Sequence, residues 1–158
     1  MAVLAYHLTW TTYGTWLHGD ARGWVKWGEW GIKPADPEQE RAARARMAEA
    51  AVVLTDAQRA LVEQTVRDHC RIRGWSLHAV NARSNHIHVV ITANREPDEV
   101  MNQFKAWCSR KLSDAAGLVG TVAKKAGRRR WFTEGGDKEL IDSEGYLDNA
   151  ITYVSERQ

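Results

Sequence analysis

Between Val3 and Thr11 apolar and polar positions alternate, with Leu4, Tyr6, Leu8 and Trp10 on one side and His7 and Thr9 on the other. That period of two belongs to a strand with one buried face. The same period governs Arg83-Ser84-Asn85-His86-Ile87-His88-Val89-Val90-Ile91. Here Ile87, Val89 and Ile91 make an apolar face while His86, His88 and Val90 share the other, because side chains two apart on a strand point the same way. Trp75 to Arg83 predicts a partner strand, joined to it by a tight turn at Ser84-Asn85. A helical period takes over at Thr55, which forms a capping box with Gln58. Leu61, Val62, Val66 and Cys70 then face a core, and Gly74 closes the helix. After Pro97, Asp98 is the expected cap of a second helix with Val100, Phe104, Trp107, Cys108 and Leu112 as its stripe. Arg129 to Thr133 and Lys138 to Ile141 read as short strands. Ser143 or Asp142 caps a final helix with Leu147, Ile151 and Val154 at helical spacing.

The predicted order is strand, helix, strand, strand, helix, strand, helix. We expect an α+β protein with a ferredoxin-like split βαβ core: an antiparallel sheet with both long helices on one face, plus a C-terminal helix carrying Tyr153. The histidines would look out of the opposite face.

The stretch between the first strand and Thr55 fits this frame less well. Thr12-Tyr13-Gly14-Thr15-Trp16-Leu17-His18-Gly19-Asp20 reads as a shaped loop. Trp24, Trp27 and Trp30 follow at intervals of three, interrupted by glycines. They suit base stacking by single-stranded nucleic acid, and equally suit packing of the loop onto the body. Pro34 and Pro37 bracket Asp36, and Glu38 to Ala51 predicts a helix with almost no apolar stripe, its Arg41, Arg44 and Arg46 forming a solvated face. Residues 21–54 are therefore expected to be an insertion within a single domain spanning 1–158.

With 158 residues, 44% apolar and 27% charged, the chain can bury a core without metal or disulfide staples. A net charge of +2 leaves any nucleic-acid site to local clustering. Lys124, Lys125, Arg128, Arg129 and Arg130 supply such a cluster, and Lys105, Arg110 and Lys111 fall outside the stripe of their helix. Cys70 and Cys108 sit in helix interiors, without zinc or redox spacing, and suggest a reducing compartment. No run approaches the roughly 18 apolar residues of a membrane span, so the cytoplasm is the expected location.

The candidate chemistry lies in His86 and His88. Neutral imidazole is the commonest protein metal ligand, and a strand presents two of them to one side. The competing reading is solvated decoration on an exposed face. On the last helix Tyr153 stands away from the Leu147/Ile151/Val154 stripe, and a tyrosine can act as a nucleophile when a metal or base assists. If that helix lies over the open sheet face, the phenol meets the histidine pair; otherwise Tyr153 is a packed ring.

The combination of Ala5-Tyr6-His7-Leu8-Thr9-Trp10, Tyr13-Gly14-Thr15-Trp16-Leu17, Asn85-His86-Ile87-His88-Val89-Val90, Phe104-Lys105-Ala106 and Ala150-Ile151-Thr152-Tyr153-Val154 closely resembles the single-tyrosine HUH transposases, the IS200-like and REP-associated tyrosine transposases. The resemblance runs nearly end to end, omitting mainly Trp24 to Val53. It implies a metal-dependent single-strand DNA nuclease and strand transferase acting on hairpin, palindromic DNA, with Mg²⁺ or Mn²⁺ between His86 and His88. Tyr153 would take the 5′ phosphate and release a 3′ hydroxyl, with no nucleotide cofactor. It further implies a homodimer whose tyrosine helix can serve the partner's histidines. One departure concerns the third metal ligand. Relatives carry glutamine one turn after the tyrosine, whereas here position 157 is Arg157 and the glutamine is Gln158, about 140° around an ideal helix, with Glu156 as competitor. Tyr146 is the weaker candidate nucleophile. The rival reading within the family is a domesticated host protein that binds or nicks single-stranded hairpins without transposing. A metal-dependent hydrolase of another class is disfavoured by chain length and by the lack of accompanying Asp and His ligands.

Overall fold

The computed structural model describes residues 2–26, 28–47, 50–118 and 130–156. Its centre is β1 (Ala5–Thr11), which pairs antiparallel with β3 (His86–Thr92) on one side and with β4 (Asp137–Ile141) on the other; β2 (Ser76–Ala82) pairs antiparallel with β3. The strand order is β2-β3-β1-β4. β3 thus lies between two strands that a helical crossover connects, which is the split βαβ arrangement the element order predicts.

Alternation along β1 and β3 sends Leu8, Trp10, Ile87, Val89 and Ile91 to one face, where all are fully buried. Against them pack α2 (Asp56–Arg73) and α3 (Pro97–Ala115), through Val62, Val66, Cys70, Val100, Met101, Phe104, Cys108 and Leu112. The capping box at Thr55 and Gln58 is present, and Gly74 ends α2 at φ 72°, a left-handed conformation that favours glycine. A smaller cluster on the other face joins Ala5, Ala79, Val90 and Ile141 to Ala150 and Val154 of α4 (Glu144–Glu156). The sheet is therefore covered on both sides, α4 lying across β2 and β3. No helix among the described residues is long and apolar enough to cross a membrane.

Several elements differ from expectation. The helix expected over Glu38 to Ala51 is shorter: α1 spans Pro37–Ala45, is capped by Asp36 and buries nothing. With no apolar stripe to hold it, the chain leaves the helix in time to bury Val52 and Leu54, whose amides donate to Tyr13 O and Ser84 O. The 21–54 stretch is thus partly core, its end sealed where Thr12 Oγ1 donates to Val52 O at 2.7 Å. Asp98 does not cap α3. Glu96 holds the cap position with no side-chain bond, and Pro97 fills the first helical position, where its missing N–H costs nothing. Trp107 is 39% exposed beneath the Arg110 guanidinium, whereas Met101, on the same helix, is buried in the core. Of the strand expected over Arg129 to Thr133, Phe132 forms an isolated bridge with Thr12, Trp131 is buried, and Arg129 lies outside the described residues. Ser143, rather than Asp142, caps α4 by accepting from the Tyr146 amide.

Candidate active site on the second sheet face

The register of the sheet assembles the site. Thr9 stands opposite His88 and Thr11 opposite His86 across β1 and β3, while Asn81 of β2 stands opposite His88 on its other side. His7 is opposite Val90, two positions along, so His7, Thr9, His86, His88 and Asn81 share one face by alternation alone. Gly136 lets the entry to β4 pass close to β1 and α3: a Cβ there would stand 2.6 Å from both Thr9 O and Met101 Sδ.

Three hydrogen bonds orient the imidazoles. His86 Nδ1 lies 2.7 Å from Asn85 Oδ1, a partner that can only accept, so the ring carries its hydrogen on Nδ1. His88 Nδ1 lies 3.1 Å from His7 Nε2 and 3.1 Å from Thr9 Oγ1. The Nε2 atoms of both His86 and His88 make no hydrogen bond among the described residues, and the ring centroids are 4.8 Å apart at 87°. Two lone-pair nitrogens on one strand, each ring steadied through its other nitrogen, are a chemically sound pair of ligands for a divalent cation.

Burial holds these rings neutral. It pushes His88 down to about 4, with His86, His7 and Arg83 acting in the same direction, and it lowers His86, where Arg83 and Arg22 add to it. His7 is also lowered by burial although Glu139 pulls it upward; Glu139 Oε2 is 3.7 Å from His7 Nδ1 and half exposed, too far and too solvated to offset the burial.

α4 brings Tyr153 to this face. Val154 packs into the apolar cluster, and Asn81 Nδ2 donates to Val154 O at 2.9 Å, tying a carbonyl of the last turn of α4 to β2. The neighbouring Tyr153 ring then sits 5.7 Å from His88 and 6.1 Å from His7, edge-on to both and 43% exposed. Tyr146 is differently placed. Its hydroxyl donates to Glu139 Oε2 at 2.7 Å, and that bond raises its pKa.

The remaining sequence candidates divide. Glu156 is an exposed residue at the end of α4, and Gln158 lies outside the described residues. Among the described residues no group of three His, Cys, Asp or Glu side chains forms a ready-made metal site. Lys105, which its place outside the helix stripe leads one to expect free for a partner, is already engaged. It is half-buried and donates to Thr133 O and Gly135 O, tying α3 to the segment entering β4. Arg110 and Lys111 are exposed, and Arg130 lies 5.9 Å over the Tyr13 ring. Lys124, Lys125, Arg128, Arg129 and Trp27 lie outside the described residues. Trp24 is buried, bonded to Pro34 O and tilted against the His18 ring with centroids 5.0 Å apart, so it packs the loop; Trp30 is 101% exposed. His7, Thr9, Asn81 and Glu139 were not singled out as site residues. Alternation in β1 already placed His7 and Thr9 on the histidine face, whereas Asn81 and Glu139 join the group only through pairing registers that no local pattern encodes.

The model of the family described as "Transposase IS200 like" matches residues 46–134, a span that includes His86 and His88 but neither His7 nor Tyr153. Among solved structures, a Deinococcus radiodurans R1 protein described provisionally as a transposase is similar in fold, with a TM-score of 0.53 and 17% identity, over 100% of this chain and 93% of that one. No curated protein matches the sequence.

Proposed function

The chain belongs to the IS200-like transposase family, whose members cleave DNA, and we propose that it cuts and rejoins single-stranded hairpin DNA through a covalent bond between Tyr153 and the 5′ phosphate at the cut. The observation that carries this reading is the approach of the Tyr153 ring to within 5.7 Å of His88 on a shared sheet face. In the first step Tyr153 Oη bonds to phosphorus as the bond from phosphorus to O3′ breaks. The phenol gives up its proton and the departing O3′ gains one. The phosphotyrosine keeps a phosphodiester linkage, so attack by a 3′ hydroxyl reverses the step without a nucleotide cofactor. A neutral phenol is a weak nucleophile unaided. Nε2 of His86 and of His88, with Gln158 or Glu156 as third ligand, would hold Mg²⁺ or Mn²⁺, which would supply Lewis-acid polarisation of the phosphoryl group. Arg110, Lys111 and the basic run from Lys124 to Arg130 contact phosphates, and Trp27 stacks on an unpaired base. Two copies form the working unit, in the cytoplasm.

The test is a denaturing gel of the protein with a labelled hairpin oligonucleotide and Mn²⁺. A covalent band should form with wild type and with Tyr146→Phe and be absent from Tyr153→Phe, which should still bind the DNA. A band that survives Tyr153→Phe overturns the assignment.

A further inference from the structure

We propose that Glu139 and His7 select which nitrogen of His88 is left to bind a cation, His7 acting as a positioning residue between a carboxylate and the histidine pair. The inference rests on the function proposed above and concerns residues of β1 and β4, outside the segment that the family shares with this chain.

His88 Nδ1 has two neighbours at 3.1 Å, His7 Nε2 and Thr9 Oγ1. A hydroxyl donates or accepts, so Thr9 is compatible with either tautomer of His88. His7 is not, because its far nitrogen has a neighbour with a fixed direction. Nδ1 of His7 faces Glu139 Oε2 at 3.7 Å, and an ionised carboxylate offers only lone pairs. The separation exceeds a hydrogen bond, but a negative charge at that range favours an N–H dipole pointing at it over a lone pair. Tyr146 donates to the same Oε2 at 2.7 Å, holding the carboxylate from the α4 side.

The consequences run inward one atom at a time. With its hydrogen on Nδ1, neutral His7 presents a lone pair at Nε2. His88 must then offer N–H from Nδ1, and its own lone pair is left on Nε2, the atom a cation needs. The opposite tautomer of His88 requires hydrogen on His7 Nε2 and turns a His7 lone pair towards Glu139. Metal-binding histidines are commonly fixed through the nitrogen that does not bind. For His86 that hold is direct, from Asn85. For His88 it is relayed through a second imidazole from a carboxylate on the neighbouring edge strand.

The experiment uses ¹⁵N-histidine-labelled protein without metal or DNA at neutral pH, with long-range ¹H–¹⁵N correlation to read tautomers, followed by calorimetric titration with Mn²⁺. His88 should carry its hydrogen on Nδ1 in the wild type, and Glu139→Leu should shift it towards a tautomer mixture. His7→Leu should weaken Mn²⁺ binding about 10–100-fold. His7→Gln, whose amide oxygen accepts from His88 while its NH₂ faces Glu139, should recover most of that loss. Hydrogen on His88 Nε2 in the wild type, unchanged Mn²⁺ affinity in His7→Leu, or no recovery in His7→Gln would each overturn the proposal. The wild-type tautomer decides it even where a variant fails to fold. Loss of the covalent chemistry of Tyr153 would be a separate failure, since no DNA enters this measurement.

Discussion

His86 and His88 can hold a cation only while both rings are neutral, and the sheet face that carries them keeps them so. Burial lowers both, His88 to about 4, so protonation displaces a bound ion only at a pH well below the ordinary imidazole value of about 6.5. Cleavage should therefore persist below pH 6 and be lost as pH falls towards the lowered values; a midpoint near 6.5 in a pH profile at saturating Mn²⁺ would contradict this. The same shift has a stability consequence. In the unfolded chain His88 binds its proton at about 6.5, so the folded state keeps this contribution fully above that pH and loses it as pH falls towards 4. His86→Ala, His88→Ala or excess EDTA should each abolish cleavage, and full activity in EDTA would remove the metal from the reaction.

Among the elements, β3 joins core to chemistry, since Ile87 and His88 are consecutive and face opposite ways. Ile87→Ala should cost about 2–5 kcal/mol of stability in a denaturant titration, because Ile87 is fully buried between the sheet and the helices. Thr55→Ala, which removes the capping box of α2, should cost only about 1 kcal/mol. The seat of α4 makes a different demand. Asn81→Ala removes the buried hydrogen bond to the Val154 carbonyl, a cost of about 0.5–1.5 kcal/mol. Because that bond lies beside Tyr153, the rate of covalent attachment should fall while oligonucleotide affinity holds. An unchanged rate would show that the apolar contacts of Ala150 and Val154 suffice to place the helix.

At the scale of the whole molecule, the sheet formed by the described residues ends in two edge strands, β2 and β4, each with a side that no described strand pairs. Such edges invite pairing with a second chain, and light scattering at tens of micromolar should return a dimer mass; a monomer would contradict the proposed two-copy unit. Charge acts at this scale too. With a net charge of only +2, DNA affinity must come from local cations. Arg110→Ala/Lys111→Ala should flatten the dependence of log affinity on log salt by about 1.4 if both side chains contact phosphates of a single strand. An unchanged slope would move the DNA path off α3.

Periodicity in the sequence was sufficient for β1 to β4, the two long helices, the capping box at Thr55 and the shared face of His7, His86 and His88, because these follow from which way successive side chains point. It was insufficient for the end of α1 at Ala45, where burial of Val52 and Leu54 outweighs the helical preference of an alanine-rich run. It left Lys105 free for a partner, whereas its ammonium donates to backbone carbonyls about 30 residues away in sequence. The meeting of Tyr153 with His88, and of Glu139 with His7, depends on strand order and on the seat of α4. Those are set by how the whole chain buries its apolar faces, and only the tertiary structure decides them.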